Sequence, residues 1–293
     1  MHALTLIAFV GSVFSPYYAM ARRRRGDIAA PADDHCAVNL SLYRMPAGAR
    51  RFGRLWAMTE RGAGAVQRQA DSLRIGRSRL AWQADGSLLI DIDERAAPWP
   101  RRLRGRIRVQ PGAQPAQAFA LDAMSRHTWQ PISPSAHVAV DFDDPGLAWR
   151  GDAYLDANHG QRPLERDFRS WQWQRSALPG QRSRVLYEVQ PRDGAERSLS
   201  LGIDRDGAIT PLPLPPWRAL ADSGWGVERS SRGVQAPTML GTLESGPFYC
   251  RSLLRDGDDG ALTVHESLSL ERFDQRWVQA LLPFRMPRWT PGA

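Results

Sequence analysis

The chain reads as an all-β protein of antiparallel strands. Apolar and polar residues alternate with period two from end to end, turn dipeptides such as Asp85-Gly86, Asp193-Gly194 and Asp206-Gly207 punctuate the pattern, and helical periodicity is scarce. Strands that follow one another without intervening helices favour barrels or sandwiches over a nucleotide-binding α/β sheet. With 293 residues, 42% hydrophobic and 24% charged, the chain can bury a substantial core, and its length suits two β-rich units.

The elements follow in order. The apolar run over residues 4–14 reads as a strand, being shorter than the ~20 residues that span a bilayer. A secretory signal carries its positive charges before the run, whereas Arg22, Arg23, Arg24 and Arg25 come after it, and a weak export signal is the alternative reading. Val38, Leu40 and Leu42 alternate with Asn39, Ser41 and Tyr43, and Leu88, Ile90 and Ile92 with Leu89, Asp91 and Asp93, as in half-buried strands. Over residues 102–109 every second residue is Arg, so one face is wet and the other dry. Further strands are expected at 136–142, 146–156, 168–175, 184–190, 198–204 and 262–270. A domain boundary is expected between Asn158 and Arg169, a segment that opens with the polar Gly- and Pro-containing stretch Asn158-His159-Gly160-Gln161-Arg162-Pro163, and gives units 1–160 and 161–293. Residues 211–217 read as a loop inside the later unit, and 273–282 is the best helix candidate.

Composition excludes several function classes. All 39 basic residues are Arg, so there is no Walker-type phosphate lysine, pyridoxal Schiff base or lysine nucleophile. A net charge of +8 and a pI near 10.4 suit nucleic acid or an anionic membrane surface. The single dense cluster, Arg22 to Arg25, follows an apolar-aromatic segment while the other arginines are scattered and no nucleic-acid motif is present, which favours the membrane; a solvated loop is the bland alternative. Cys36 and Cys250 have no metal spacing and read as buried small residues in a reducing compartment, a single disulfide remaining open. His35, His137, His159 and His265 likewise lack close metal-ligand spacing. Asp91, Asp93 and Glu94 suggest a paired-carboxylate glycosidase, but Asp91 and Asp93 fall on the face opposite Ile90 and Ile92 and read as solvated.

Two short pairs say most about function: His127-Thr128-Trp129 and Tyr154-Leu155-Asp156, each at the spacing that points both side chains to one face of a strand. Taken alone, an Asp before Ala-Asn-His-Gly is a turn or cap residue, and His-x-Trp is a core histidine beside a packed Trp. Read beside Gly11-Ser12-Val13-Phe14-Ser15-Pro16-Tyr17-Tyr18-Ala19, Asp34-His35-Cys36-Ala37-Val38-Asn39 and Trp56-Ala57-Met58-Thr59-Glu60-Arg61-Gly62, they make the chain resemble the carotenoid 1,2-hydratase (hydroxyneurosporene synthase) family over nearly its whole length. Met20 departs from the Trp expected after Tyr-Tyr-Ala.

The resemblance implies two lipocalin-like antiparallel β-barrel domains with a short C-terminal helix. It also implies hydration of the terminal C1=C2 bond of acyclic carotenes such as neurosporene or lycopene, with no cofactor and no metal, and catalytic roles for His127, Trp129, Tyr154 and Asp156. The chemistry asks for such residues. An isolated alkene is a very weak base, so a well-placed acid must protonate C2. Asp156 would have to stay protonated near neutral pH, which burial achieves at a cost on the order of 4 kcal/mol. Trp129, sharing the role with Tyr154, would face the tertiary C1 cation. His127 would hold and deprotonate the captured water, and the Tyr154 hydroxyl would orient water or acid. Trp171 and Trp173 share a strand face and read either as channel lining or as core.

The expected partners follow from an insoluble substrate: an acyclic carotene, a membrane surface on the cytoplasmic side of a bacterial photosynthetic membrane, other carotenoid-pathway enzymes, and no nucleic acid. Two rival readings stand beside this one: a non-catalytic lipocalin-like carrier of carotenoids or isoprenoids, and a double-barrel enzyme acting on another hydrophobic substrate.

Overall fold

Alternation decides which faces meet. In the computed structural model, which describes residues 1–26, 30–45 and 52–289, Val38, Leu40 and Leu42 point into one core with Ile90, Ile92, Ile107 and Val140. Each such side chain contributes roughly 1.5–3 kcal/mol when fully buried. On the outer face, Arg106 Nε bonds Asp91 Oδ1 at 2.9 Å and Arg102 Nη2 bonds Asp93 Oδ2 at 3.1 Å. The solvated reading of these two acids therefore holds, while the next residue, Glu94, is buried against Ser78 and Arg61.

Four sheets result. The first runs His2–Phe9, Cys36–Arg44, Gly53–Arg61, with Arg288–Trp289 returning to pair in parallel. The second runs Leu147–Gly160, His127–Asp144, Arg102–Pro111, Leu88–Arg95, Ser78–Trp82, Ser72–Ile75 and Val66–Arg68, with Phe119–Ala120 added beside His127–Asp144. The third runs Ile209–Pro211, Arg197–Ile203, Arg182–Pro191, Phe168–Leu178, Leu262–Ser269, Tyr249–Arg255 and Thr238–Ser245. A hairpin of Trp217–Leu220 and Arg229–Arg232 forms the fourth. The class is antiparallel β as expected, and among the described residues each sheet is an open path of strands without a closing pair. Gly105 lets two strands of the second sheet approach: a Cβ there would stand 2.5 Å from the Phe142 backbone.

The helices differ from expectation. Ser15 ends the first strand's exit loop and accepts the N–H groups of Tyr17 and Tyr18, with Pro16 in the first turn, so Pro16–Arg25 is a capped helix that apolar periodicity did not reveal. The expected 273–282 helix is two short ones, Leu270–Phe273 and Arg276–Leu281, because Gln275 takes an extended conformation between them. Among the described residues no helix is long and apolar enough to cross a membrane. Cys36 and Cys250 are both buried and free.

The third sheet has two unlike faces. Trp171, Trp173 and Arg175 share one with Tyr187, Glu266 and Arg251. The other carries Gln172, Gln174 and His265, which bond to Ser230 and Ser231 of the small hairpin. The first face looks toward the other two sheets: Arg251 donates to Tyr43 of the first at 2.9 Å, and Trp173 packs on Tyr154 of the second.

Candidate active site

The hairpin of His127–Asp144 and Leu147–Gly160 carries all four expected residues. His127 lies opposite Gly160, Trp129 opposite Asn158 and Pro131 opposite Asp156, and cross-strand partners share a face. Tyr154, two residues before Asp156, adds to that face.

Three of the four converge on one carboxylate. Trp129 Nε1 donates to Asp156 Oδ2 at 2.8 Å, and the Tyr154 hydroxyl donates to the same oxygen at 3.3 Å. Trp129 has no accessible surface; its ring packs on Phe119 at 5.6 Å and Tyr187 at 5.7 Å. It therefore presents an N–H edge to the acid, with its ring packed away, where the sequence suggested a ring facing a cation. Tyr154 and Trp173 are half-buried, with their centroids 5.6 Å apart. The Arg175 guanidinium lies 5.5 Å from the Tyr154 ring.

Burial pushes the Asp156 carboxyl up to about 6, against the lowering effect of the Trp129 hydrogen bond. By accessible surface, however, Asp156 is exposed. The side chain is thus crowded by protein atoms yet open to solvent. Burial, reinforced by the Asp156 charge, lifts the Tyr154 hydroxyl well above its ordinary value, so Tyr154 remains an O–H donor.

The structure does not bring His127 to these three. It faces the same side, but four residues along the strand from Pro131, about 13 Å at the usual rise. Its Nε2 is 2.7 Å from Asp167 Oδ2, and Arg126 Nη2 reaches Asp167 Oδ1 at 3.0 Å. Gly160 permits this: a Cβ there would stand 2.7 Å from His127 Nδ1.

Several neighbours were missed by sequence reasoning. Asp167 sits in the expected boundary stretch, Tyr187 donates to Asn158 Oδ1 at 3.0 Å, and Glu266 reaches the same inner face from more than a hundred residues away. No spacing rule links them to the hairpin. An aromatic wall continues from Trp171 through Phe14, whose ring lies 5.5 Å from Phe248 and 6.2 Å from Phe273. Asp156 lines neither the cavity of about 280 Å³ beside Tyr187 and Leu199 nor the one of about 450 Å³ walled by Arg22, Glu165 and Arg192. Among the described residues, no group of three or more His, Cys, Asp or Glu is placed to hold a metal ion.

The family model described as carotenoid hydratase CrtC matches residues 6–291. The chain belongs to this family. It is 46% identical to an acyclic carotenoid 1,2-hydratase of Thiocapsa roseopersicina over 98% of this chain and 69% of that protein. Against the acyclic carotenoid 1,2-hydratases of Rubrivivax gelatinosus and Rhodobacter capsulatus the identities are 42% (98% and 70% covered) and 37% (97% of each). Membership makes the chain an enzyme of the hydro-lyase type. The fold is also that of a putative AttH from Nitrosomonas europaea, at 12% identity and a TM-score of 0.54 over 80% of this chain and 81% of that one.

Proposed function

We propose that this hydratase adds water across the terminal C1=C2 bond of acyclic carotenes such as neurosporene or lycopene, with Asp156 as the acid that protonates C2. The observation that supports this most is the Asp156 carboxyl, pushed up to about 6, with both side-chain donors on Oδ2. Its Oδ1 is left to carry the proton to substrate. Desolvation raises the share of the acid that holds its proton, and the Trp129 and Tyr154 hydrogen bonds stabilise the carboxylate once the proton has gone.

Protonation places a tertiary cation at C1. The half-buried rings of Tyr154 and Trp173 are the faces available to it, worth about 1–2 kcal/mol when desolvated. Trp129 acts through its N–H on the acid. His127, paired with Asp167, acts as a positioning residue that fixes the end of the strand bearing Trp129.

The carotene is insoluble in water, so the enzyme gathers it at a membrane surface, on the cytoplasmic side of a photosynthetic membrane in this reading, or from a pathway partner. A carrier needs the same aromatic wall but gives no use for a proton-bearing Asp among it. The test is to incubate the protein with lycopene or neurosporene in light water and in deuterium oxide beside Asp156→Asn. A water-sized mass gain with one deuterium retained on C2, lost in the variant, is expected. Tight carotene binding with no mass gain favours the carrier, and full turnover in Asp156→Asn removes Asp156 as the acid.

A further inference from the structure

Hydration needs two proton movements, one onto C2 and one off the attacking water, and His127 is engaged elsewhere by Asp167. The inner face of the third sheet offers another group. Glu266 stands between Trp173 on one neighbouring strand and Arg251 on the other. Trp173 packs on Tyr154, which bonds Asp156. Glu266 is thus linked to Asp156 through Trp173 and Tyr154, near enough for its charge to act on the Asp156 carboxyl.

Its two oxygens differ. Oε1 accepts from Arg251 Nε at 2.7 Å. Arg251 is itself buried and fixed by Tyr43 Oη at 2.9 Å and Glu244 Oε2 at 3.3 Å. Oε2 has no side-chain donor among the described residues, and the side chain keeps 20% of its surface. A carboxylate clamped through one oxygen and open at the other is oriented to hold a water. The negative charge of Glu266 also adds to the causes that raise the Asp156 carboxyl, as a nearby like charge does.

We propose that Glu266 is the second carboxylate of the hydration site: it holds the water that attacks C1 and takes its proton. The assignment rests on the hydratase reading above. The C1=C2 π pair forms the C2–H bond as the Asp156 O–H breaks. A water lone pair then forms the C1–O bond as one water O–H breaks toward Glu266 Oε2. Asp156 ends as carboxylate and Glu266 as acid, and exchange with solvent restores both. No oxidant or reductant is involved. Protonation and water capture come from opposite walls, the division of labour that paired carboxylates use in inverting sugar hydrolysis.

The test compares wild type, Glu266→Gln, Glu266→Asp and Asp156→Asn with dispersed lycopene in deuterium oxide. Hydroxylated product and deuterium in the recovered lycopene are both read. In Glu266→Gln hydration should fall about 10²-fold or more, while deuterium still enters recovered lycopene, because the cation forms and returns to alkene by losing a proton. Asp156→Asn should lose both signals, and Glu266→Asp should recover part of the hydration. Gln keeps an oxygen for Arg251, and melting temperature with quenching of tryptophan emission by carotene confirms a folded, binding protein. Hydration within about threefold of wild type in Glu266→Gln overturns the assignment. So does an equal loss of exchange and hydration in a folded, binding variant. Wild-type hydration is measured first in the same assay, so its absence counts against the hydratase reading separately from Glu266.

Discussion

Trp129 donates its indole N–H to Asp156 Oδ2 across the strand pair, at 2.8 Å, while its ring is wholly buried. A donor aimed at a carboxylate favours the ionised form, so this bond works against the burial that raises Asp156. Trp129→Phe keeps the ring packing and deletes the donor. The Asp156 carboxyl should then rise further, moving the high-pH limb of kcat/KM upward while lowering the maximal rate by about tenfold as the acid weakens. An unchanged limb in the pH–rate profile would show that the indole N–H does not tune the acid.

The wild-type profile has a sign fixed by the same group. The acid must be protonated to act, so kcat/KM should fall about tenfold per pH unit above about 6, the value to which Asp156 is pushed. A rate that rises with pH across that window would identify a base, not this acid, as limiting.

Stability should move the opposite way from activity in Asp156→Asn. The folded carboxyl is raised above its unfolded value, so the native state is favoured below the unfolded pKa and loses that advantage as pH rises through about 6. Removing the charge relieves the loss, on the order of 1 kcal/mol at pH 8 after discounting for the accessible surface of the side chain. The variant should melt a few degrees higher than wild type at pH 8 and no higher at pH 4, while hydration falls by at least 10³-fold. Thermal melts at both pH values, run beside product analysis, test the two halves together.

How much of this was legible depended on whether the signal was local. Period two placed Ile90 and Ile92 inside and Asp91 and Asp93 outside, and the same rule paired His127 with Trp129 and Tyr154 with Asp156, because β geometry fixes side-chain direction from spacing alone; that the two pairs meet comes from the strand register. It did not show that His127 reaches Asp167, because facing the same side says nothing about distance along the strand. The Pro16–Arg25 helix was missed because its face is too polar for periodicity, although Ser15-Pro16 carried the cap signal. Glu266 was invisible because only sheet topology brings its strand beside Trp173.

His127 and Asp167 separate structure from chemistry. Their 2.7 Å contact is buried and shared with Arg126. Removing His127 leaves Asp167 to Arg126 and Arg162 and deletes a buried hydrogen bond to a carboxylate, worth about 1.5–3 kcal/mol. His127→Ala should therefore lower the melting temperature strongly. At a temperature where it remains folded, the pH limb set by Asp156 should be unmoved. A displaced limb with intact stability would return His127 to the proton path.

The arginine cluster divides in the same manner. Arg22 is buried and bonds Glu165 Oε1 at 2.8 Å, whereas Arg24 and Arg25 are exposed at the end of the helix. Arg23 is exposed as well but reaches Asp274 Oδ1 at 3.4 Å, which leaves Arg24 and Arg25 to meet anionic headgroups, each contributing about 1 kcal/mol. Arg24→Ala with Arg25→Ala should weaken partition onto phosphatidylglycerol vesicles about thirtyfold, with melting unchanged. Arg22→Ala should instead destabilise the fold, because Glu165 is left without its buried partner. Sedimentation with vesicles at low and high salt reads the difference. If the double variant still sediments like wild type, this helix is not the membrane contact, and the carotene must be collected through another face or from a protein partner.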